Sequence, residues 1–153
     1  MALYASWVHG NALTVEAPGN LVRLGHFAWG ADMLVRSNTA SWFHIPLPTP
    51  VIASDRRTTV QKLFLLFETE TGGLIRNVHI YDGSSQVQLF ERLEFHGQHR
   101  LALDGQNTFN LAQPHTVLWG MGISFYFITA TGIESEAPPQ RLIVAAAGAD
   151  FLT

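Results

Sequence analysis

The seven histidines are the most promising candidates for metal binding or catalysis in this 153-residue chain. Neutral imidazole is a common metal ligand and a base that works near pH 7. The stretch "HGQH" holds His96 and His99 on either side of a turn, where both rings could face one metal ion, with His115 or Glu94 as a third ligand. This set predicts a site for a divalent transition metal. The alternative interpretation is a group of solvent-exposed polar residues in a loop.

A second candidate site combines histidine with tryptophan. Trp42 and His44 are two residues apart in a β-like segment, so their side chains share one face. His26 and Trp29 are also close in the sequence. An aromatic ring beside an imidazole in a groove suits a sugar or a planar ligand. We therefore predict that these four residues bind a ligand, and the alternative is that they are half-buried residues with a structural role.

Known catalytic motifs are missing from the sequence. The segment "GMGISF" is not a Gly-x-Ser-x-Gly elbow, and Gly120 and Gly122 lack the third glycine of a dinucleotide-binding loop. There is no cysteine, which excludes disulfides and thiolate chemistry. These observations favour a non-enzymatic protein without a cofactor. The alternative is a small enzyme, either metal-dependent through the histidines or without any cofactor.

The charge content limits the kinds of partner that this chain could bind. Only 14% of residues are charged, the formal net charge is −3, and the lysines and arginines are scattered. No basic patch is available to neutralise phosphates, so we expect neither nucleic-acid binding nor attachment to a membrane. The N-terminal residues do not resemble a signal peptide, so we expect a cytoplasmic protein. So few charges fit either a surface of neutral polar side chains or a surface covered by other copies of the chain.

The stretch "HTVLWGMGISFYFITA" at 115–130 alternates bulky and small side chains. Its odd positions from 117 to 127 are large and apolar, and several of its even positions are small, namely Gly120, Gly122 and Ser124. It lacks charge, but a period of two and repeated glycines favour one long buried strand over a membrane helix. The small face must lie close to something: another part of the chain, a flat ligand or a neighbouring subunit. We predict Gly120, Gly122 and Ser124 as a subunit contact, joined by "AAAGA" (145–149) if the two segments are adjacent.

Strand-like segments dominate the remaining sequence. They are separated by Gly, Pro, Asn and Asp turns, and the segments 59–70 and 74–81 are predicted to form a hairpin through Gly72 and Gly73. Such a pattern predicts an all-β protein with one domain over residues 1–153. We expect a two-sheet antiparallel β-sandwich resembling a jelly roll, with a closed β-barrel as the alternative. Residues 131–140 are predicted to form a loop.

Two short segments carry a family resemblance. The stretches "NVHIYDG" (77–83) and "AAGADF" (146–151) resemble segments of small, uncharacterised bacterial β-sandwich proteins of unknown function. This resemblance implies an all-β fold and identifies no active site. Taken with the composition, it leads us to expect a domain that associates with itself and binds a ligand or a protein partner, such as a glycan.

Overall fold

A computed structural model of the chain describes residues 1–70, 72–129 and 137–153. The fold is all-β, and its two main sheets are antiparallel and pack face to face. The predicted two-sheet antiparallel β-sandwich is therefore confirmed. Within the described ranges, no helix has the length and hydrophobicity needed to cross a bilayer. The predicted loop at 131–140 falls largely outside the described residues.

The strands follow one another with short connections, two of which are single 3₁₀ turns at Gly10–Ala12 and Pro18–Asn20. In chain order the strands are β1 (Leu3–His9), β2 (Thr14–Val15), β3 (Leu21–Phe27), β4 (Gly30–Val35), β5 (Ala40–Pro46), β6 (Ile52–Ala53), β7 (Arg56–Arg57), β8 (Thr59–Thr69), β9 (Leu74–Asp82), β10 (Ser85–Phe90), β11 (Gln98–His99), β12 (Thr108–Thr116), β13 (Met121–Ile128) and β14 (Gln140–Leu152).

The larger sheet has seven strands in the order β11-β8-β14-β4-β3, with β1 also paired to β14 and β12 also paired to β8. The smaller sheet has five strands in the order β10-β9-β13-β5-β2, and β6 and β7 form a separate ribbon. The long central strands β8 and β14 pair with each other at ten register positions, from Leu142↔Thr69 to Leu152↔Thr59. The larger sheet is thus built around this pair.

The core lies between the inner faces of the two sheets. The smaller sheet contributes alternate residues of its strands, among them Phe43, Ile45, Phe125 and Phe127, all at most 1% exposed. The larger sheet faces them with residues such as Phe67. Each large apolar side chain buried in this way contributes roughly 1.5–3 kcal/mol. Period-two burial therefore places every second residue of the smaller sheet on its outer face.

The predicted hairpin of 59–70 with 74–81 is wrong. Strand β8 pairs with β14, β11 and β12 in the larger sheet, whereas β9 pairs with β10 and β13 in the smaller sheet. Strands β8 and β9 therefore belong to different sheets instead of forming a hairpin. Both strands carry apolar residues that need a core, and placing them in opposite layers buries them against each other's sheet.

The predicted single strand over 115–130 is also wrong. Strand β12 ends at Thr116 in the larger sheet and β13 begins at Met121 in the smaller one. The residues between them bend, and Trp119, expected to be buried, is 72% exposed. Alternation of bulky and small residues continues in β13, where Met121, Ile123 and Phe125 point inward. The alternation in the sequence thus continues from β12 in the larger sheet to β13 in the smaller sheet.

A buried carboxylate holds this bend. The side chain of Asp82, at the end of β9, is 1% exposed and accepts four hydrogen bonds of 2.7–2.9 Å. Three come from consecutive backbone N–H groups and one from an imidazole, the donors being Leu118, Trp119, Gly120 and His115 Nε2. Backbone donors that leave a ladder must find another partner. Asp82 supplies that partner where the chain passes between sheets.

The same contacts set the charge state of Asp82. Burial alone would raise the pKa of its carboxyl group, but the hydrogen bonds from His115 and from the three backbone N–H groups outweigh burial and lower the pKa to about 2. The ordinary value is 3.8. A folded-state pKa below the unfolded one stabilises the protein above the unfolded pKa, and this stabilisation is lost as pH falls through the folded pKa.

We predict that Asp82→Asn destabilises the fold at pH 7 by about 2 kcal/mol or more, since the amide keeps the shape but not the charge. Urea denaturation of both proteins at a series of pH values measures the difference. The gap between wild type and variant is expected to narrow as pH falls from about 4 to about 2. Asp55→Asn is the control, because Asp55 is exposed and its positive φ is tolerated by asparagine. A constant gap over this pH range would contradict the assignment.

Candidate functional site

A groove with a volume of about 620 Å³ lies on the outer face of the smaller sheet. Strand register explains its shape. One row across the sheet places Gly122 between Pro46 and Tyr81, and the next row places Ser124 between His44 and His79. The central strand carries small side chains while its neighbours carry large ones. The groove is therefore a trough that runs along β13.

The floor of the trough is open because Gly122 has no side chain. A Cβ atom built on Gly122 meets only the backbone oxygen of Ile45, at 3.9 Å. Neither a strand nor a loop of the described chain covers this position. The small face predicted from the sequence thus contributes Gly122 and Ser124 to the floor of a groove. The groove is large enough for a small ligand, since ligand pockets typically measure about 300–1,000 Å³.

Aromatic rings form one end of the groove. Trp42 is half-buried, and its ring centroid lies 4.9 Å from that of Tyr126 and 4.7 Å from that of His79. These neighbours hold the indole in place, because a ring packed on two sides has few alternative rotamers. Trp42 therefore presents a rigid apolar surface to the groove.

A chain of polar contacts crosses the groove. His44 Nδ1 lies 2.7 Å from Ser124 Oγ, and His44 Nε2 lies 3.2 Å from Glu16 Oε2. His44 and Ser124 are register partners on adjacent strands, and Glu16 directly follows β2, the edge strand beside β5. A carboxylate on Nε2 favours the tautomer that carries its proton there, which leaves Nδ1 to accept a hydrogen bond from the serine hydroxyl.

His79 forms the opposite wall and is neutral at pH 7. Burial lowers the pKa of its imidazole, and the nearby carboxylate of Glu91, 3.6 Å away, only partly opposes this effect. Glu16 is the only carboxylate among the residues that line the groove. The site thus combines aromatic walls and a neutral His79 with one carboxylate at its rim.

The four residues predicted to bind a ligand are divided between two places. Trp42 and His44 line the groove, as just described. His26 and Trp29 lie at the hairpin of β3 and β4 in the larger sheet, where His26 contacts the side chain of Asn11 and Trp29 Nε1 donates to Asp32. The structure does not bring the two pairs together.

The three predicted metal ligands are also not assembled. His99 uses both ring nitrogens, one toward the carboxylate of Asp104 and one toward the backbone oxygen of His96. His115 bonds Asp82 instead. On β8, the register partners of His99 and His115 are seven residues apart, roughly 23 Å along a strand. In the part of the chain that the structure describes, no three His, Cys, Asp or Glu residues are arranged to hold a metal ion.

Two of the three residues predicted as a subunit contact line the groove. Gly122 and Ser124 form its floor, while Gly120 belongs to the bend held by Asp82. Their role as a subunit contact stays a prediction. The segment 145–149 is not beside them, because β14 belongs to the larger sheet. There, Gly148 gives room to the ring of Trp7, which stacks on Phe64 with centroids 5.1 Å apart.

Sequence reasoning missed several residues of the groove, namely Thr14, Glu16, His79 and Tyr81. The period of two in "NVHIYDG" does place His79 and Tyr81 on one face. Nothing in the sequence, however, indicates that this face adjoins His44. Glu16 carries no local signal at all, because only the pairing of β2 with β5 brings it to the imidazole.

The two glycines of the small-residue segments are expected to respond differently to substitution. Gly122→Val should leave stability unchanged or raise it slightly, since the side chain enters open space and valine favours strands. Gly148→Ala should destabilise the protein, because its Cβ would lie 2.5 Å from the ring of Trp7 and 2.8 Å from the backbone oxygen of Ser6. Thermal denaturation measures both. A neutral Gly148→Ala together with an unfolded Gly122→Val would refute this assignment of the two faces.

Comparison with known proteins supports the family resemblance. Residues 1–125 match DUF6623, described as a family of unknown function. No curated protein matches the chain. The matched range contains "NVHIYDG" and every residue that lines the groove, whereas "AAGADF" lies beyond it. The chain therefore belongs to the DUF6623 family.

Proposed function

We propose that this protein binds a neutral small molecule, a saccharide in particular, in the groove on the outer face of the smaller sheet. The observation that carries this proposal is the trough of about 620 Å³ over Gly122 and Ser124, with a fixed indole at one end. A bare glycine floor in the middle of a well-formed sheet contributes nothing to stability, since glycine in a strand interior weakens it. The glycine is explained if this position must leave space for a ligand.

The chemistry of the walls favours a sugar. A sugar ring presents an apolar C–H face that can stack on Trp42 and hydroxyl groups that both donate and accept hydrogen bonds. Ser124, Tyr81 and His44 offer hydrogen-bond donors and acceptors around the floor, and Glu16 offers an acceptor at the rim. A few placed polar groups within an otherwise apolar pocket are what small-ligand sites require.

The charge of the groove argues against anions. Glu16 is its one carboxylate, His79 is neutral, and no arginine or lysine lines it. A phosphate or a carboxylate ligand would therefore meet no arginine or lysine as a countercharge. A neutral saccharide needs none.

We predict that Trp42→Ala and Gly122→Val each weaken saccharide binding at least tenfold, the first by removing the stacking surface and the second by filling the floor. Isothermal titration calorimetry with a panel of mono- and disaccharides measures the effect, and far-UV circular dichroism reports folding. Gly19→Ala is the matched control, because Gly19 also has open space around it but lies outside the groove. Absence of binding to every member of the panel, or an unchanged Kd in both variants, would count against the proposal.

Self-association is the second part of the proposed function, and an exposed apolar edge favours it. Among the strands of the described residues, β3 lies at the end of the larger sheet and pairs with β4 alone. Its region exposes large hydrophobic side chains, each 38–49% accessible: Val22, Leu24, Phe27 and Trp29. An edge strand leaves backbone groups unpaired and is a template for another chain. We propose that β3 of a second copy pairs with it around a two-fold axis.

The variant Leu24→Lys is expected to convert a dimer into monomers. If β3 pairs with β3 of a second copy, the two introduced lysines lie in the same interface and repel each other. Multi-angle light scattering at several protein concentrations measures the mass. Leu101→Lys is the control, since Leu101 is exposed and follows β11, which is at the opposite end of the larger sheet from β3. Measuring Gly122→Val in the same way tests the predicted subunit contact at Gly120, Gly122 and Ser124. A monomeric wild type at all concentrations would rule out both interfaces.

A further inference from the structure

The polar chain across the groove has the arrangement of a nucleophile, a base and an orienting acid. We propose that Ser124, His44 and Glu16 make the groove an acyl-ester hydrolase site, acting on a short-chain ester of a sugar hydroxyl. This inference rests on the proposed function in one respect, since the sugar part of the ester must enter the same groove. The reaction itself is an additional activity.

The geometry meets the first requirement for an activated serine. The Oγ of Ser124 is 2.7 Å from His44 Nδ1, within the 2.6–3.2 Å over which a base can take a proton. The second imidazole nitrogen is 3.2 Å from a carboxylate oxygen of Glu16, which orients the ring and stabilises it when charged. The same roles recur on unrelated folds and in different chain orders. Here the order along the chain is acid, base, nucleophile.

Other histidines of this protein show how a purely structural imidazole is held. His99 and His9 each direct one ring nitrogen at a backbone carbonyl oxygen, that of His96 and of Ala28 respectively. Those contacts tie loops and turns to the sheets. His44 instead joins two side chains, a hydroxyl and a carboxylate.

Stability does not account for this chain of contacts. The side chains of His44 and Glu16 are 41% and 56% exposed, and even a full ion pair at such positions contributes only about 0–1 kcal/mol. Ser124 occupies the floor of the groove, within reach of a bound ligand. An exposed polar network with little structural value, placed inside a ligand-sized cavity, points to chemistry on the ligand.

The proposed reaction balances without any cofactor. Ser124 Oγ attacks the ester carbonyl carbon while its proton passes to His44 Nδ1, and Glu16 stabilises the resulting imidazolium. The bond from carbon to the alcohol oxygen then breaks, and the leaving alcohol takes the proton from His44. Water attacks the acyl-serine with His44 again as base, releasing the carboxylic acid and restoring the serine. The sum is ester plus water to acid plus alcohol.

The surroundings of Ser124 indicate that turnover is slow. Ser124 lies in the ladders of β13 with both β5 and β9, so its backbone N–H is not free to stabilise an oxyanion. The Tyr81 hydroxyl remains as a donor, since the register partner of Tyr81, Gly122, lies two residues before Ser124 on the same face. Loss of one oxyanion donor costs about 10²–10³ in kcat. A covalent probe and an activated ester are therefore the suitable reagents.

The test treats the full chain with a fluorophosphonate probe and with p-nitrophenyl acetate, and maps the modified residue by mass spectrometry. We expect an adduct on Ser124 and a slow release of p-nitrophenol. Ser124→Ala should abolish the adduct, and His44→Gln should slow labelling at least 100-fold. Ser85→Ala, an exposed serine outside the groove, should label like wild type. Labelling spread over several residues, or unchanged in His44→Gln, would overturn the proposal.

Glu16 acts through His44 and is a positioning residue, so its variant needs a separate readout. Glu16→Gln should lower the labelling rate at saturating probe without changing the probe concentration that gives half of that rate. If Ser124→Ala does not fold, His44→Gln provides the same test with the nucleophile intact. An equal change in the maximal labelling rate and in the half-saturating probe concentration, or no change in either, would show that Glu16 does not position His44.

Saccharide calorimetry separates this inference from the proposed function. Saccharide binding without an adduct on Ser124 would overturn the hydrolase and leave the binding function intact. An adduct on Ser124 without saccharide binding would retain the activated serine and refute the sugar as the alcohol part of the ester. Absence of both would refute both proposals.

Discussion

The carboxylate of Asp82 is the constraint on which the layout of this molecule depends. A chain that changes from one sheet to the other must leave the ladder, and its backbone N–H groups then need another acceptor. Asp82 accepts from three consecutive N–H groups at the bend between β12 and β13 and from the imidazole of His115. Because the acceptor is at the end of β9, the bend is tied to the strand beside which β13 must begin.

The position of β13 determines the groove. Once Met121 pairs with Asp82, the register of the whole strand follows, and Gly122 and Ser124 fall between the large side chains of β5 and β9. The inward residues of the same strand fill the core. One strand thus stabilises the sandwich with one face and leaves the other face free for function. Open space over Gly122 leaves room on this face that the core does not use.

Much of the architecture could be predicted from local patterns. Period-two burial and turn residues predicted the strands at 59–70 and 74–81 and the sandwich itself, since both depend on short-range sequence. The pairing of β8 and β9 was wrong, because a Gly-Gly turn is compatible both with a hairpin and with a crossing between layers. The strand at 115–130 was wrong for a related reason. Alternation persists on both sides of the bend, and a lone Asp82 gives no sign that it caps a bend more than thirty residues later in the chain.

The candidate site was predictable only in part. Trp42 and His44 were identified because residues two apart on one strand share a face, whereas His26 and Trp29 proved to lie in the other sheet. The sequence by itself determined which side chains point outward on each strand and that the outward face of 122–124 is small. Only the tertiary structure decided that Ser124, His44 and Glu16 meet, because their contacts follow from strand register. Register depends on the packing of the whole core and on the bend at Asp82, which no local pattern encodes.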